Sequence, residues 1–267
     1  MSKIIINLVT HSAYKDVCLD FLKLFKKNWS DCPYDFVISV VGENIDFGNY
    51  SSIYHGKKCS LPEAVYNVMT DEQYEYCISF LGDAFINEHV DNKMIEELLK
   101  KIRSENIQYC CLIPRKSFRL KNKLISQELR YISSMDSYNM SFVAFIASRD
   151  FIKNEFANGI SDLDFETKYL MNNDKSNIFY KDRAIVTKNV FHLAPGINAG
   201  KWNRHVYKKL RRDNPEITFN SREVESFVSM IRKDMISVFQ IFLSKKQRKT
   251  IKRLLTKIFK IKFVTDY

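Results

Sequence analysis

The sequence predicts an α/β fold with a largely parallel central sheet, and three observations carry that prediction. Short runs rich in β-branched residues alternate with amphipathic stretches of helical period through the first 115 residues. The runs are apolar at successive positions, as in strands covered by helices on both faces. The composition, 45% hydrophobic with only 7 Gly and 5 Pro, is that of a packed globular chain with no low-complexity linker.

The elements follow in order. KIIINLVT (3–10) reads as a buried first strand. Residues 14–28 place apolar side chains at 17, 18, 21, 22 and 25, a helical stripe. YDFVISVVG (34–42) is a second strand ending on glycine, and LPEAVYNVM (61–69) a helix with Pro62 in its first turn. YEYCISFLG (74–82) is a third strand, DNKMIEELLKKIRSEN (91–106) an amphipathic helix, and IQYCCLIPR (107–115) a fourth strand. Further on, 140–154 reads as a strand running into a helix, and 161–173 as a helix capped by Ser161 or Asp162. A strand is expected over 184–194, then a loop, PGINAGKWN, and helix from about Ser221 onward. The expected division is an α/β domain over 1–220 and a helical C-terminal segment over 221–267.

Six cysteines without a C-x-x-C pair suit reduced thiols better than a disulfide framework or a zinc site. The first apolar run is too short for a signal peptide, and no window holds eighteen uncharged apolar residues. The net charge is +11, but residues 245–262 carry nine Lys/Arg and no acid. The rest holds 33 basic against 31 acidic residues and is close to neutral. A nucleic-acid-binding domain spreads its charge over the folded surface, so such a role would fall to the tail acting as a basic arm.

Ligands of open α/β sheets collect beyond the carboxyl ends of the strands, where Asp83 follows the third strand. A carboxylate there can hold a divalent cation against a diphosphate or accept from a ribose hydroxyl; equally, it can cap the turn. Thr10 and His11 end the first strand at a helix start, where Ser12 is the better cap. Asp162, Asp164 and Glu166 fall within five residues at a helix start, where acids are favoured by the helix dipole in any case. In HLAPGINAGKWNRH (192–205), two glycines and a proline make a loop able to fold over a ligand, with Lys201 available to a leaving diphosphate. His192 is a candidate metal ligand or a structural histidine at a strand end.

KNWSDCPYDFVISV (27–40), YCISFLGDAFINEHVD (76–91), DLDFETKYL (162–170) and GINAGKWNRHVYKKL (196–210) occur in an order that resembles a family of bacterial glycosyltransferases encoded with capsule and surface-polysaccharide genes. The resemblance covers roughly residues 1–215 and implies a GT-A-like fold, with a nucleotide-binding sheet and an acceptor half. It implies an inverting hexosyltransferase taking a nucleoside-diphosphate sugar, foremost a UDP-sugar, to a lipid-linked or surface-polysaccharide glycan. Glu166, after Phe165, would then be the base, with Asp164 as second choice. Thr10, His11, Asp83 and Lys201 would bind the donor, and Asp83 with His192 would hold Mn²⁺ or Mg²⁺. Relatives end the third strand with two adjacent acids, whereas this chain has Gly82-Asp83. That departure keeps open a non-catalytic role in a glycan-assembly complex.

In the tail, Ile251, Leu254, Leu255, Ile258 and Phe259 fall at helical spacing. Lys245, Lys246, Arg248, Lys249, Lys252, Arg253, Lys257 and Lys260 supply the charge around them. This is the pattern of an amphipathic helix lying on an anionic membrane surface, or of a terminal helix packed on the body. The first alternative would place a cytoplasmic protein on the inner face of the membrane.

Overall fold

The computed structural model describes residues 3–115, 123–133, 140–156, 160–161, 165 and 179–231. Eight strands form one mixed sheet between two helical layers. The N-terminal half contributes β1 (Lys3–His11), β2 (Asp35–Val41), β3 (Ser52–Tyr54) and β4 (Tyr74–Leu81). The other half contributes β6 (Tyr109–Cys111), β7 (Leu129–Ser133), β8 (Ala144–Ser148) and β9 (Phe179–Val186). Their order is β3-β2-β1-β4-β8-β6-β9-β7. The first four pair in parallel throughout. β8 runs antiparallel to β4 and β6, and β7 antiparallel to β9.

Successive side chains of a strand point to opposite faces. Ile4, Ile6 and Leu8 of β1 therefore pack with α1 (Lys15–Asn28) and α3 (Asn92–Ser104) on one face. Ile5 and Val9 pack with α2 (Leu61–Val68) and α4 (Arg149–Glu155) on the other. The helix starts are set locally. Ser60 and Glu63 form a reciprocal capping box with Pro62 in the first turn, and the side chain of Ser148 accepts from Phe151 N–H. None of the six cysteines forms a disulfide, and four of them are buried. Among the described residues no helix is long and apolar enough to cross a membrane.

Three expected elements differ. The strand expected over 107–115 is confined to Tyr109–Cys111, with flanking backbone bonds at Gln108 and Leu112, and Pro114 beyond it can donate no ladder hydrogen bond. The run expected as one strand over 184–194 is broken. β9 ends at Val186, and the Asn189 side chain closes a turn by donating to Leu193 O at 2.9 Å and accepting from Leu193 N at 2.8 Å. The chain then re-enters as β10 (Leu193–Pro195), antiparallel to β5 (Ala84–Ile86), the three residues that follow Asp83. Helix was expected from 221, but 221–226 is non-helical because it pairs along Trp202. Trp202 N donates to Glu223 O, Glu225 N donates to Trp202 O, and a helical turn begins only at 227.

A polar strap holds the C-terminal part in place. After α5 (Arg204–Asp213), residues 214–222 run back along α1. Lys27 donates to Asn214 Oδ1 at 2.7 Å, and Lys23 to Thr218 O at 2.7 Å. Asp20 accepts from Asn220 N at 2.7 Å and Nδ2 at 2.9 Å, and Asp16 pairs with Arg222 at 2.6 Å. Positions 16, 20, 23 and 27 share one helix face, so a single stripe of α1 serves the whole strap. Asp20 is only 1% exposed, and its removal leaves the Asn220 amides without their acceptor. Asp20→Ala is expected to cost roughly 2–3 kcal/mol in urea unfolding, against under about 1 kcal/mol for the half-exposed Lys23→Ala. Equal losses would show that the strap does not depend on the buried acid.

Candidate active site

The parallel half of the sheet ends on three neighbouring strand termini. β1 ends at His11, whose Nδ1 accepts from Ala13 N at 3.1 Å and starts a 3₁₀ turn, Ser12–Tyr14. β2 ends beside Gly42, at φ +93, against which the His11 ring and Ser12 pack. A Cβ there would lie 2.5 Å from Ser12 Oγ and 2.9 Å from the His11 ring, so glycine is required for space as well as for conformation. β4 ends at Leu81, whose N–H is taken by Val143 O; Gly82 N then donates to Val9 O at 3.1 Å and Asp83 follows.

Asp83 lies beneath the glycine-containing loop. β5 and β10 pair Ala84 with Pro195, and Gly196 N donates to Asp83 O at 2.9 Å. The Asp83 carboxylate accepts from its own N–H and from Ile197 N–H. The loop then turns through Ala199-Gly200, both at positive φ, in the hairpin of β11 (Ile197–Asn198) and β12 (Lys201–Trp202). Trp202 is fully buried, stacks on Phe85 at 5.1 Å, and donates from its indole to Asn220 Oδ1 at 2.9 Å. Gly196 is the residue that lets the loop sit so low. A Cβ there would fall 2.2 Å from the Phe85 ring and 3.1 Å from that of Trp202.

Burial is the largest influence on Asp83 and raises its pKa from 3.8 to about 6, against the opposing pull of the two backbone N–H groups. Among the described residues no Lys, Arg or His forms an ion pair with it. No group of three or more described His, Cys, Asp or Glu residues is arranged to hold a metal by itself. A small divalent ion there would depend on Asp83 together with oxygens of a bound diphosphate, the mode in which Mg²⁺ uses one or two carboxylates plus substrate phosphates. A carboxylate without a counter-charge at a strand end fits that use. The glycine in place of a second acid is not forced by packing, since a Cβ at 82 would meet Thr10 Oγ1 at 3.4 Å, an ordinary contact.

The other expected residues are placed as follows. Thr10 is 3% exposed, lies beside Gly82, and donates to His11 O, so its hydroxyl is turned inward, while His11 is exposed at the rim. Lys201 is on the loop as expected but pairs with Glu223 at 2.6 Å. Both partners are exposed, and a pair of that kind is readily exchanged for another anion. The expected pairing of Asp83 with His192 around a metal is not formed. His192 sits beside Asn87 at the far end of the β5–β10 ladder, about four residues or ~13 Å along the strand from Asp83. Its ring instead meets Glu88 at 3.5 Å, and Glu88 also holds Lys209 at 2.6 Å. Asp164, Glu166 and the tail cations from Lys245 to Lys260 lie outside the described residues.

One residue at the site had no sequence signal. Arg222 reaches the end of β1, donating to Ala13 O at 2.6 Å, pairing with Asp16, and lying 4.4 Å over the Tyr14 ring. It is 206 positions from Asp16, and nothing local marks it. Two open depressions, of about 420 Å³ beside Asn106, Tyr131 and Phe179 and of about 120 Å³ beside Tyr76, Gln108 and Ser148, lie at the opposite end of the sheet.

No protein-family model and no curated protein matches this chain. Among solved structures, a cytidylyltransferase from Leptospira borgpetersenii serovar Hardjo-bovis (strain JB197) is 12% identical with a TM-score of 0.47, over 92% of this chain and 99% of that one. A protein from Desulfovibrio desulfuricans G20, assigned as a nucleotide-diphospho-sugar transferase, is 11% identical with a TM-score of 0.43, over 91% and 100%. S. aureus TarS is 13% identical with a TM-score of 0.45, over 92% of this chain and 44% of that one. At these values the likeness is one of chain trace, and what those proteins act on is a property of theirs alone.

Because the folded state holds the Asp83 proton more tightly than the unfolded chain, this residue's stabilising contribution is complete below pH 3.8 and is lost as pH rises towards 6. The deprotonated acid then costs the fold on the order of 3 kcal/mol. Asp83→Asn keeps an acceptor for Ile197 N–H and removes the charge. Its thermal midpoint is expected to exceed that of the parent by several degrees at pH 7.5 and to match it near pH 4. An equal gain at both pH values would show that the charge is not the cause.

Proposed function

We propose that this protein is a GT-A-like glycosyltransferase of the hexosyltransferase kind. It would move a sugar from a nucleoside-diphosphate donor, foremost a UDP-sugar, onto a lipid-linked or surface-polysaccharide glycan with inversion. The observation that carries the proposal is Asp83: a carboxylate with no counter-charge among the described residues, at the carboxyl end of the parallel strands, under a loop pinned by its own backbone. A strongly perturbed acid in such a place is a candidate functional group on physical grounds. The resemblance of the four sequence stretches to capsular transferases supports the reaction class.

In this reading His11, at the rim of β1 and β2, meets the nucleoside, with Thr10 supporting it from beneath. Asp83 faces the diphosphate, directly or through Mn²⁺ or Mg²⁺, which would neutralise charge on the leaving group. Lys201 exchanges Glu223 for the diphosphate. The acceptor hydroxyl oxygen bonds to the anomeric carbon as the bond from that carbon to the diphosphate oxygen breaks, with the electron pair leaving on the diphosphate. The hydroxyl proton passes to Glu166, or to Asp164 as second choice. The basic tail, Lys245 to Lys260, holds the protein to the anionic inner face of the membrane, where lipid-linked acceptors lie.

A second reading retains the fold without the chemistry. Gly82 in place of an acid, and Lys201 already paired with Glu223, favour a non-catalytic member of a glycan-assembly complex.

Thermal unfolding with UDP, GDP and CMP, each with Mn²⁺ or EDTA, separates the two readings. A ligand that binds only the folded state raises the midpoint by an amount set by its concentration over Kd. The expected outcome is a shift with UDP and Mn²⁺ that Asp83→Ala abolishes; no shift with any nucleotide would favour the non-catalytic reading. For Glu166→Gln the same nucleotide shift is expected with transfer reduced by about 10²-fold or more. Undiminished turnover would remove Glu166 from the mechanism.

A further inference from the structure

Among the described residues eight large apolar side chains are exposed, and three of them, Phe227 (60%), Val228 (75%) and Ile231 (41%), stand within one helical turn. Scattered exposed apolar residues are ordinary, whereas a cluster on one turn marks a surface that something covers. The turn has an inner side as well: Met230 is 8% exposed and Met230 N donates to Ser226 O at 3.0 Å, so the helix presents one apolar residue inward and three outward.

Next to this turn the chain is mixed, with Arg222, Arg232 and Lys233 against Glu223, Glu225 and Asp234, and the strongly basic stretches lie further off in α5 and in 245–262. Glu225, itself 4% exposed, accepts from Arg204 N at 3.2 Å, and Arg204 Nε donates to Glu225 O at 2.9 Å, which fixes the start of the turn to the start of α5. That helix, RHVYKKLRRD, carries five Lys/Arg against one acid, and Lys208, Arg211 and Arg212 are exposed. After the turn the sequence runs through Arg232 and Lys233 to the nine Lys/Arg of 245–262. An exposed apolar turn fastened to a helix with exposed Lys and Arg is matched by an anionic bilayer, which takes apolar side chains below its headgroups and holds Lys and Arg at their level.

We infer that Phe227, Val228 and Ile231 form a second membrane-insertion point, built into the folded body next to α5 and separate from the basic tail. This deepens the membrane part of the proposed function and rests on that part, not on the nucleotide chemistry. The apolar turn enters the headgroup region while Lys208, Arg211 and Arg212 remain with the lipid phosphates. Because Glu223 and Glu225 just before it are tied to Trp202 and Arg204, insertion at 227–231 fixes the orientation of the body on the surface, which a tail alone would not do.

The test is co-sedimentation of the full chain with phosphatidylcholine vesicles and with vesicles containing about one-third phosphatidylglycerol. Four proteins are compared: the parent, Phe227→Ser/Val228→Ser, a tail variant with Lys252, Arg253 and Lys257 changed to Gln, and Leu124→Ser as a control for an equally exposed apolar residue elsewhere. The expected result is a tenfold or greater loss of partitioning onto the anionic vesicles for the double Ser variant, no change for Leu124→Ser, and unchanged nucleotide-dependent unfolding in both. If the tail variant loses binding while the double Ser variant keeps it, this inference fails and tail attachment stands. If the parent does not bind anionic vesicles, both fail. If size-exclusion chromatography with light scattering shows a parent oligomer that the double Ser variant dissociates, the turn is an interface between copies and the inference is overturned.

Discussion

The stack of Phe85 on Trp202, made possible by the missing side chain of Gly196, is the contact on which the site depends. Phe85 lies two residues beyond Asp83 on a three-residue strand too short to be stable alone. Trp202 belongs to a two-residue strand, equally unable to hold itself. Joining the two rings buries both and brings the 193–202 loop down onto the strand end, where Gly196 and Ile197 can donate to Asp83. The backbone of Trp202 then receives 223–225, so one apolar contact sets both the roof of the site and the return of the chain. Aromatic pairs of this kind contribute about 0.5–1.5 kcal/mol beyond the area they bury, enough to decide between docked and open loops.

Around that contact the polar groups divide into two kinds. Asp20 and Glu225, both nearly inaccessible, are satisfied by backbone and side-chain donors and serve the architecture. Among the described residues Asp83 has backbone donors only, and those are too few to offset its burial, so its pKa is pushed up to about 6 and about half of its carboxyl groups carry a proton at that pH. Fold stability alone would favour asparagine at that position. Retaining an acid whose charge is unfavourable in the free protein is physically reasonable where a bound cation or donor hydroxyl supplies the missing partner.

The parallel half of the sheet was legible because buried strands and amphipathic helices alternate there with full-length periodicity, and Asp83 was legible because strand ends are where such sheets bind. The loop at 192–202 was legible as a glycine-containing loop, but its strands were not. Two or three residues carry no period, and β10 is defined only by its partner across the chain. The run at 184–194 misled because the Asn189 turn interrupts it with a side-chain clasp that hydropathy does not register. His192 was paired with Asp83 by residue type, whereas the antiparallel register puts them at opposite ends of one ladder. Arg222 and the strap were invisible for a different reason: their partners lie on a helix some 200 residues earlier, and each is an ordinary surface residue when read alone.

The strap also determines how the site can respond to a ligand. Its polar hold on α1 runs through Lys27, Lys23, Asp20 and Asp16, of which only Asp20 is buried, and Ile217 and Phe219 add packing against the core, Phe219 edge-on to Trp202 at 5.9 Å. The strap carries Glu223, which holds Lys201, and Arg222, which lies at the end of β1. An anion arriving above Asp83 would compete with Glu223 for Lys201 and with Asp16 for Arg222. Both exchanges replace one exposed ion pair by another without uncovering Trp202 or Phe85. The cations at the rim can therefore change partners while the aromatic stack beneath them stays closed, and among the described residues Asp83 is the acid at the site with no cationic partner.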